Sequence, residues 1–254
     1  MATMIVTGAA GAIGACVAER LAARGTRLIL TDISENLLSD LDSFISASSN
    51  TGNAELIFAA GDLVDPAFAE HLLELACDGH ADLLGCVNVA GVERPVVRAM
   101  ELSVDDLRST FEINVFALTR MCQLVIRELL AAGVGGRIVN LASGAALSGA
   151  PFMTAYNSSK HAVLGVTRCL AKEYAADGIA VNAVCPGYVQ SRMVVDILAR
   201  MEVVSGRPFD PISTIPAGRM ADPDEVANVV EYLALDAPTY LTGTALPVDG
   251  GLYA

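Results

Sequence analysis

Tyr156 and Lys160 stand four residues apart in Tyr156-Asn157-Ser158-Ser159-Lys160, at the opening of a long helical stretch. That spacing puts the phenol and the ammonium on one helix face. A phenol with a reference pKa near 10 is a poor base at neutral pH. An ammonium about 4 Å away, at an effective dielectric near 20, attracts the phenolate by roughly 4 kcal/mol. At about 1.4 kcal/mol per unit, this lowers the phenol pKa by up to about three units. The pair therefore suits proton transfer to and from a substrate oxygen. The same spacing also arises often by chance, so its context decides its meaning.

The second chemical feature is Thr7-Gly8-Ala9-Ala10-Gly11-Ala12-Ile13-Gly14, between a strand pattern and a helix pattern. Glycines at Gly8, Gly11 and Gly14 allow a tight turn and bring backbone N–H groups close to a pyrophosphate at the helix N-terminus. Asp32 follows Gly14 by 18 residues, at the end of the second strand pattern. A carboxylate there accepts hydrogen bonds from ribose hydroxyls and repels a 2′-phosphate. Neither the glycine loop nor Ile33 supplies a cation, which favours NAD over NADP. The competing reading of Asp32 is a cap for the helix that follows. Asp62 and Asn88-Val89-Ala90-Gly91 end the third and fourth strand patterns. These residues trace one carboxyl edge, where open α/β sheets bind their ligands.

The elements that must position these groups are short apolar runs alternating with amphipathic stretches. Strand patterns occupy 4–7, 27–31, 55–59, 83–88, 137–141, 180–185 and 245–248; helical patterns occupy 12–24, 34–47, 66–77, 103–131, 155–176 and 223–235. Strands rich in Val, Ile and Leu without polar alternation are buried on both faces. The expected fold is α/β, a doubly wound, Rossmann-type, mostly parallel seven-stranded sheet with helices on both faces. No repeat or linker divides the chain, so one catalytic domain spanning 1–254 is expected. Residues 190–215 mix apolar side chains with Gly206, Pro208 and Pro211, the pattern of a helical insertion. A substrate lid and a surface excursion over the core both fit it.

Composition excludes several function classes. Hydrophobic residues make up 53% of the 254 and charged residues 18%, enough to bury a core. A formal net charge of −13 argues against a nucleic-acid or anionic-membrane surface. The six cysteines form no CxxC pair, and His71, His80 and His161 are isolated, so no metal site is expected. The N-terminus lacks a basic leader and no apolar run is long enough to span a membrane. A cytoplasmic protein with free thiols is the expectation.

Taken in order, the glycine loop, Asn88-Val89-Ala90-Gly91, Asn114, Ser143, Tyr156/Lys160, Pro186-Gly187 and the closing Asp249-Gly250-Gly251 resemble the short-chain dehydrogenase/reductase family in its compact single-domain form. The resemblance covers nearly the whole chain. It implies an NAD(H)-dependent oxidoreductase that interconverts a secondary alcohol and a ketone. It assigns proton exchange to Tyr156, orientation of the substrate oxygen to Ser143, and a hold on the nicotinamide ribose to Lys160. Asn114 would position a water in a proton relay behind Lys160. Cofactor contacts would come from the loop residues with Ala12 and Ile13, from Asp32, Ile33, Asp62, Leu63, Asn88, Ala90 and Gly91. Pro186, Gly187, Val189 and Ser191 would fix the nicotinamide, beside Tyr156 and Lys160. Three positions depart from the family pattern: Ala12 with Gly11 one position earlier, Val89 in place of a second Asn, and Ser191 in place of Thr. The methyl of Ala12 points to crowding at the pyrophosphate.

The expected substrate pocket comprises Ala145, Leu147, Ala150, Phe152, Met153 and Tyr188, with Met193, Val194 and Ile197 from the lid. These suit a largely apolar cyclic or aryl small-molecule substrate. Arg94 and Arg98 read either as solvated side chains or as partners for an anionic group. A 3-oxoacyl-(carrier protein or CoA) reductase is the nearest alternative, although the acidic chain offers little to an acidic carrier. An enoyl reductase of this fold family usually spaces Tyr and Lys more widely. A non-catalytic NAD-sensing regulator on the same fold is the alternative of another class, and such proteins typically lose the Tyr/Lys pair. By resemblance the chain is a homo-oligomer, a homotetramer packed through the long helices and the last strand.

Overall fold

The computed structural model describes residues 2–48, 54–78 and 82–254; His80 lies outside them. Seven strands, β1 (Thr3–Thr7), β2 (Arg27–Asp32), β3 (Leu56–Ala60), β4 (Leu83–Asn88), β5 (Gly136–Leu141), β6 (Ile179–Pro186) and β7 (Ala245–Val248), join one sheet in the order β3-β2-β1-β4-β5-β6-β7. Every pairing is parallel, beyond the mostly parallel arrangement expected. The strand order reverses between β1 and β4, where Thr7 lies opposite Asn88. A crevice opens at such a reversal beyond the strands' carboxyl ends.

Alternation along each strand sends side chains to two separate cores. Met4, Val6, Leu28, Leu30 and Val87 pack with Val17 and Leu21 of α1 (Ala12–Ala23), Leu38 of α2 (Glu35–Ala47) and Val226 of α8 (Pro223–Glu231). Ile5, Ile29, Cys86 and Ile138 face the other way. They meet Leu72 of α3 (Pro66–Ala76), Val125 of α5 (Leu118–Ala132) and Val163 of α6 (Thr154–Tyr174). Each fully buried side chain of this size contributes about 1.5–3 kcal/mol, so both faces hold the sheet. The start of α8 is set by Asp222 and Glu225 in a capping box, with Pro223 at the first helical position.

Two expected helices are interrupted. The stretch expected as one helix over 103–131 comprises α4 (Val104–Phe111), a π turn (Glu112–Ala117) and α5. The stretch over 223–235 is α8 followed by a second π turn (Tyr232–Asp236). Apolar periodicity does not register a single wide turn, because the helix continues on the same axis. Within 190–215 the structure forms α7 (Arg192–Ser205) and a short 3-10 turn (Ile212–Thr214). Among the described residues no helix is long and apolar enough to cross a membrane.

Candidate active site

A single cavity of about 760 Å³ runs along the carboxyl ends of the strands. At one end lie Gly8, Gly11, Ala12 and Ile13, with Asp32, Ile33, Asp62 and Leu63 beside them. Ala90 and Gly91 lead to Ser143, Ala145, Tyr156 and Lys160. Pro186, Gly187, Val189 and Ser191 form the opposite wall, and Ala150, Met153, Tyr188, Met193, Val194 and Ile197 surround the far end.

The glycine loop has the shape of a cradle. Gly8 has φ +65, and a Cβ there would stand 2.6 Å from the backbone of Ala90. A Cβ on Gly14 would stand 2.1 Å from the Gly8 carbonyl oxygen, so Gly14 sits behind the cavity wall and lets α1 close on the loop. Gly11 has ordinary room for a methyl, with the Gly8 oxygen 3.4 Å from its Cβ position. Asp32 braces the loop: one carboxylate oxygen accepts from the Ala10 N–H at 3.0 Å and the other from Ile33 N–H at 2.8 Å. It does not cap α2, whose first flanking residue is Ser34. Ile33 is 63% exposed at the cavity edge, an apolar surface for a flat ring. Asp62 accepts from the Val64 N–H at 2.9 Å and holds the neighbouring turn. This open cradle of backbone, a carboxylate and an apolar ledge fits a dinucleotide.

Asn88 does not reach the cavity wall. Its amide donates to Asn140 Oδ1 at 2.9 Å and approaches the sulfurs of Cys86 and Cys122, each at 3.5 Å. It ties β4 to β5 beneath the site, and its Oδ1 is buried without a partner. Asn114, fully buried in the π turn, is also off the wall. Its Nδ2 donates to Val92 O at 2.8 Å and Ser159 Oγ at 3.0 Å, while its Oδ1 accepts from Val92 N–H at 2.8 Å. Both amide hydrogens are thus committed to struts between α6 and the β4 loop. Gly91 fits closely here: a Cβ would lie 3.2 Å from Asn114 Oδ1 and 3.3 Å from Lys160 Nζ.

Ser143 ends β5's extension and caps a 3-10 turn (Gly144–Ala146), accepting from the Ala145 N–H at 3.1 Å. Asn157 stabilises that turn by donating to Ala145 O at 3.1 Å and Ser148 O at 2.8 Å, a part of the site that sequence reasoning missed. The first helical turn of α6 brings Tyr156 to the end of β5, where it lines the cavity together with Ser143. Burial pushes the Tyr156 phenol up to about 12; the nearby Ser143 hydroxyl opposes this and the Glu93 carboxylate adds to it. Lys160 Nζ donates to the Leu141 main-chain oxygen at 2.7 Å and lies 5.8 Å from the Tyr156 ring centre. Burial brings its ammonium down to about 8. In the chain by itself the phenol is therefore raised rather than depressed, because desolvation outweighs the favourable influence of Ser143.

Two expected pocket residues stand elsewhere. Leu147 closes the 3-10 turn, with its N–H donating to Gly144 O at 2.9 Å, and it is partly solvated off the wall. Phe152 has φ 70, a left-handed conformation unusual for a bulky residue, and its ring lies under the Arg98 guanidinium at 5.8 Å. Arg98 thus has a protein partner, whereas Arg94 lines the cavity. Phe152 still packs in the small cluster of Val96, Met153, Ile197 and Met201 that seats α7. The residues with no local sequence signal are Glu93, Arg192, Leu252 and Tyr253; all but Glu93 line the cavity, as does Met201 of the expected lid segment. Glu93 is buried, with one carboxyl oxygen unpartnered. Among the described residues no cluster of His, Cys, Asp and Glu is suited to a metal.

A family model described as enoyl-(acyl carrier protein) reductase matches residues 8–253. The chain is 33% identical over 257 residues to L-2,3-butanediol dehydrogenase of Corynebacterium glutamicum, covering 98% of this chain and 97% of the relative. It is 32% identical over 251 residues to 3-oxoacyl-[acyl-carrier-protein] reductase of Escherichia coli, covering 98% and 96%. Among solved structures, NAD+-bound xylitol dehydrogenase superposes with a TM-score of 0.91 at 28% identity, covering 98% of each chain. An NADPH complex of actinorhodin polyketide ketoreductase gives 0.90 at 31%, covering 99% and 97%. Fold, site geometry and full-length similarity agree: the chain belongs to the short-chain dehydrogenase/reductase family, as a nicotinamide-dependent oxidoreductase that interconverts secondary alcohols and ketones.

Proposed function

We propose that the protein uses NAD(H) and acts on a largely apolar, cyclic or aryl substrate, with Tyr156 as the proton-exchanging group. The observation that carries this reading is the single cavity joining Asp32 and the glycine loop to Ser143, Tyr156 and Lys160. The nicotinamide, when bound, supplies or accepts the hydride. Gly8, Gly11, Ala12 and Ile13 hold the pyrophosphate side, and Asp32 meets the adenosine ribose. Among the described residues the cations that line the cavity are Arg94, Lys160 and Arg192, none of them adjacent in the chain to Asp32 or the glycine loop, where a 2′-phosphate would need one. Pro186, Gly187, Val189 and Ser191 bear on the nicotinamide.

Ser143 orients the substrate oxygen and Tyr156 exchanges the proton with it. At neutral pH the buried phenol is protonated and ready to donate, which suits ketone reduction. Lys160, held by Leu141, supplies the positive charge that favours the phenolate during alcohol oxidation. Because the Asn114 amide is fully committed, its main chain rather than its side chain would serve a proton relay. Met153, Ile197 and Met201 give the far end its apolar character, and α7 acts as the substrate lid. The six free thiols suit the cytoplasm. Exposed Phe116 and Leu130, in the π turn and on α5, suit packing into a homotetramer.

The alternative of a 3-oxoacyl reductase has one observation in its favour: Arg94 and Arg192 line the cavity and offer cations to an anionic substrate arm. Initial rates with NAD+ and NADP+ on a panel of secondary alcohols, and with a 3-oxoacyl thioester in reduction, separate the readings. Faster turnover with NAD+ on cyclic alcohols supports the proposal. Turnover confined to the thioester, or to NADP+, overturns it.

A further inference from the structure

The turn after β3 carries Gly61, Asp62 and Leu63 into the cavity wall beside Asp32. Most of its hydrogen bonds are local. The Asp62 carboxylate accepts from the Val64 N–H at 2.9 Å, and the Asp62 main-chain oxygen accepts from the Asp65 N–H at 3.0 Å. The Gly61 N–H reaches β2, donating to the Asp32 main-chain oxygen at 3.0 Å. Phe68 of α3 fills the space beside Gly61, where a Cβ would stand 2.5 Å from its ring.

The main-chain oxygens of Leu63 and Val64 are held from outside the turn. Arg120, in the first turn of α5, donates from Nη1 to Leu63 O and to Val64 O, each at 3.2 Å. One terminal nitrogen of the guanidinium thus serves both oxygens. Arg127, further along α5, pairs instead with the Glu70 carboxylate of α3 at 2.9 Å. Both arginines tie α5 to the β3–α3 region, but Arg120 grips a residue of the cavity wall and Arg127 does not. Arg120 itself does not line the cavity.

We propose that Arg120 is a positioning residue for the cofactor, holding the Asp62–Leu63 wall in the place that the adenine half requires. This inference rests on the reading of the cavity as an NAD(H) site. The physical argument is pre-organisation. A turn already fixed by a charged donor loses little freedom when the ligand arrives, whereas a turn released from α5 must be ordered at the expense of binding. Ser143 and Tyr156 stand on other elements, so the loss should fall on cofactor affinity and spare the chemical step.

The test measures dissociation constants of NADH, by its fluorescence, and of ADP-ribose, by displacement of NADH, with the full chain and its variants. ADP-ribose keeps the adenine half and lacks the nicotinamide. Arg120→Met keeps the aliphatic stem and should weaken both ligands about tenfold, the weight of one charge-assisted hydrogen bond. Its kcat at saturating NAD+ should stay within about twofold of wild type. Arg120→Lys keeps a donor without the planar fork and should lose about threefold; it carries the same test if Arg120→Met does not fold. Arg127→Met removes the neighbouring tie between α5 and α3 and should leave both constants as in wild type, which a general loosening of α5 would not. Unchanged constants in the Arg120 variants, a kcat that falls as far as the affinity, or equal losses in Arg127→Met overturn the proposal. Failure of the wild-type protein to bind NADH and ADP-ribose would instead take down the dinucleotide reading of the cavity, and the proposal with it.

Discussion

The Lys160 ammonium lies 5.8 Å from the centre of the Tyr156 ring and is held there by a 2.7 Å hydrogen bond to the Leu141 main-chain oxygen. The end of β5 thus fixes the cation, while α6 fixes the phenol one turn away. A rigid strand and a helix set the separation, so no loop motion is needed to assemble the pair.

Replacing Lys160 with Ala removes both the charge near the phenol and a donor to Leu141. Steady-state kcat/KM for alcohol oxidation should fall by about 10²-fold or more, the usual weight of an acid–base arrangement. Lys160→Arg keeps the charge but not the compact ammonium, and should recover only part of the loss. Activity near wild type in Lys160→Ala would contradict the assignment.

Asp32 sits where a ribose hydroxyl or a 2′-phosphate would meet it. Asp32→Ala should lower the NAD+/NADP+ ratio of kcat/KM by about 10–100-fold, corresponding to a charged hydrogen bond of about 1.5–3 kcal/mol. The same variant deprives Ala10 N–H of its acceptor, so its melting temperature should drop. An unchanged cofactor ratio would show that Asp32 serves the loop alone.

Ala12 begins α1 and lines the cavity beside the pyrophosphate cradle. Ala12→Gly should tighten NADH binding about threefold, read by NADH fluorescence, which no Trp in the chain obscures. It should also cost about 0.5–1 kcal/mol of stability, the helix penalty of glycine. Weaker NADH binding would mean the methyl supports the loop rather than crowds the ligand.

Glu93 gives the site a second pH handle. Burial pushes its carboxyl up to about 7, with Arg200 pulling the other way, and its anion raises the Tyr156 pKa. Glu93→Gln removes that anion, so the rising limb of alcohol oxidation should move to lower pH. The sign for stability follows from the raised value. The neutral carboxyl favours the fold below about 4.5, and that contribution is lost as pH rises through about 7. Melting temperatures of wild type should decline over this window, and those of Glu93→Gln should decline less. Parallel pH curves for the two proteins would rule the effect out.

Much of this architecture was legible in the residues themselves. Strand runs such as 83–88 and 245–248 coincide with β4 and β7, because buried parallel strands need continuous apolar side chains. Tyr156 and Lys160 were legible through helix spacing, and Asp32 through its place after β2. Asn88 and Gly14 share the same motifs but serve packing behind the wall, a distinction that motif spacing does not carry. The π turn at Asn114 left no trace, since apolar periodicity survives one wide turn. Phe152 read as a pocket residue, yet its backbone is left-handed and its ring lies under Arg98. Tyr253 and Glu93 had no local pattern at all; their places depend on how the tail and the β4 loop dock on distant elements.

The most direct measurement of the central claim follows absorbance at 340 nm when purified protein meets NAD+ and a cyclic secondary alcohol, with Tyr156→Phe alongside. Wild type should form NADH, and the variant should lose about 10²–10⁴-fold in kcat with NADH binding retained. Turnover by Tyr156→Phe at the wild-type rate would contradict the claim that this phenol carries the proton.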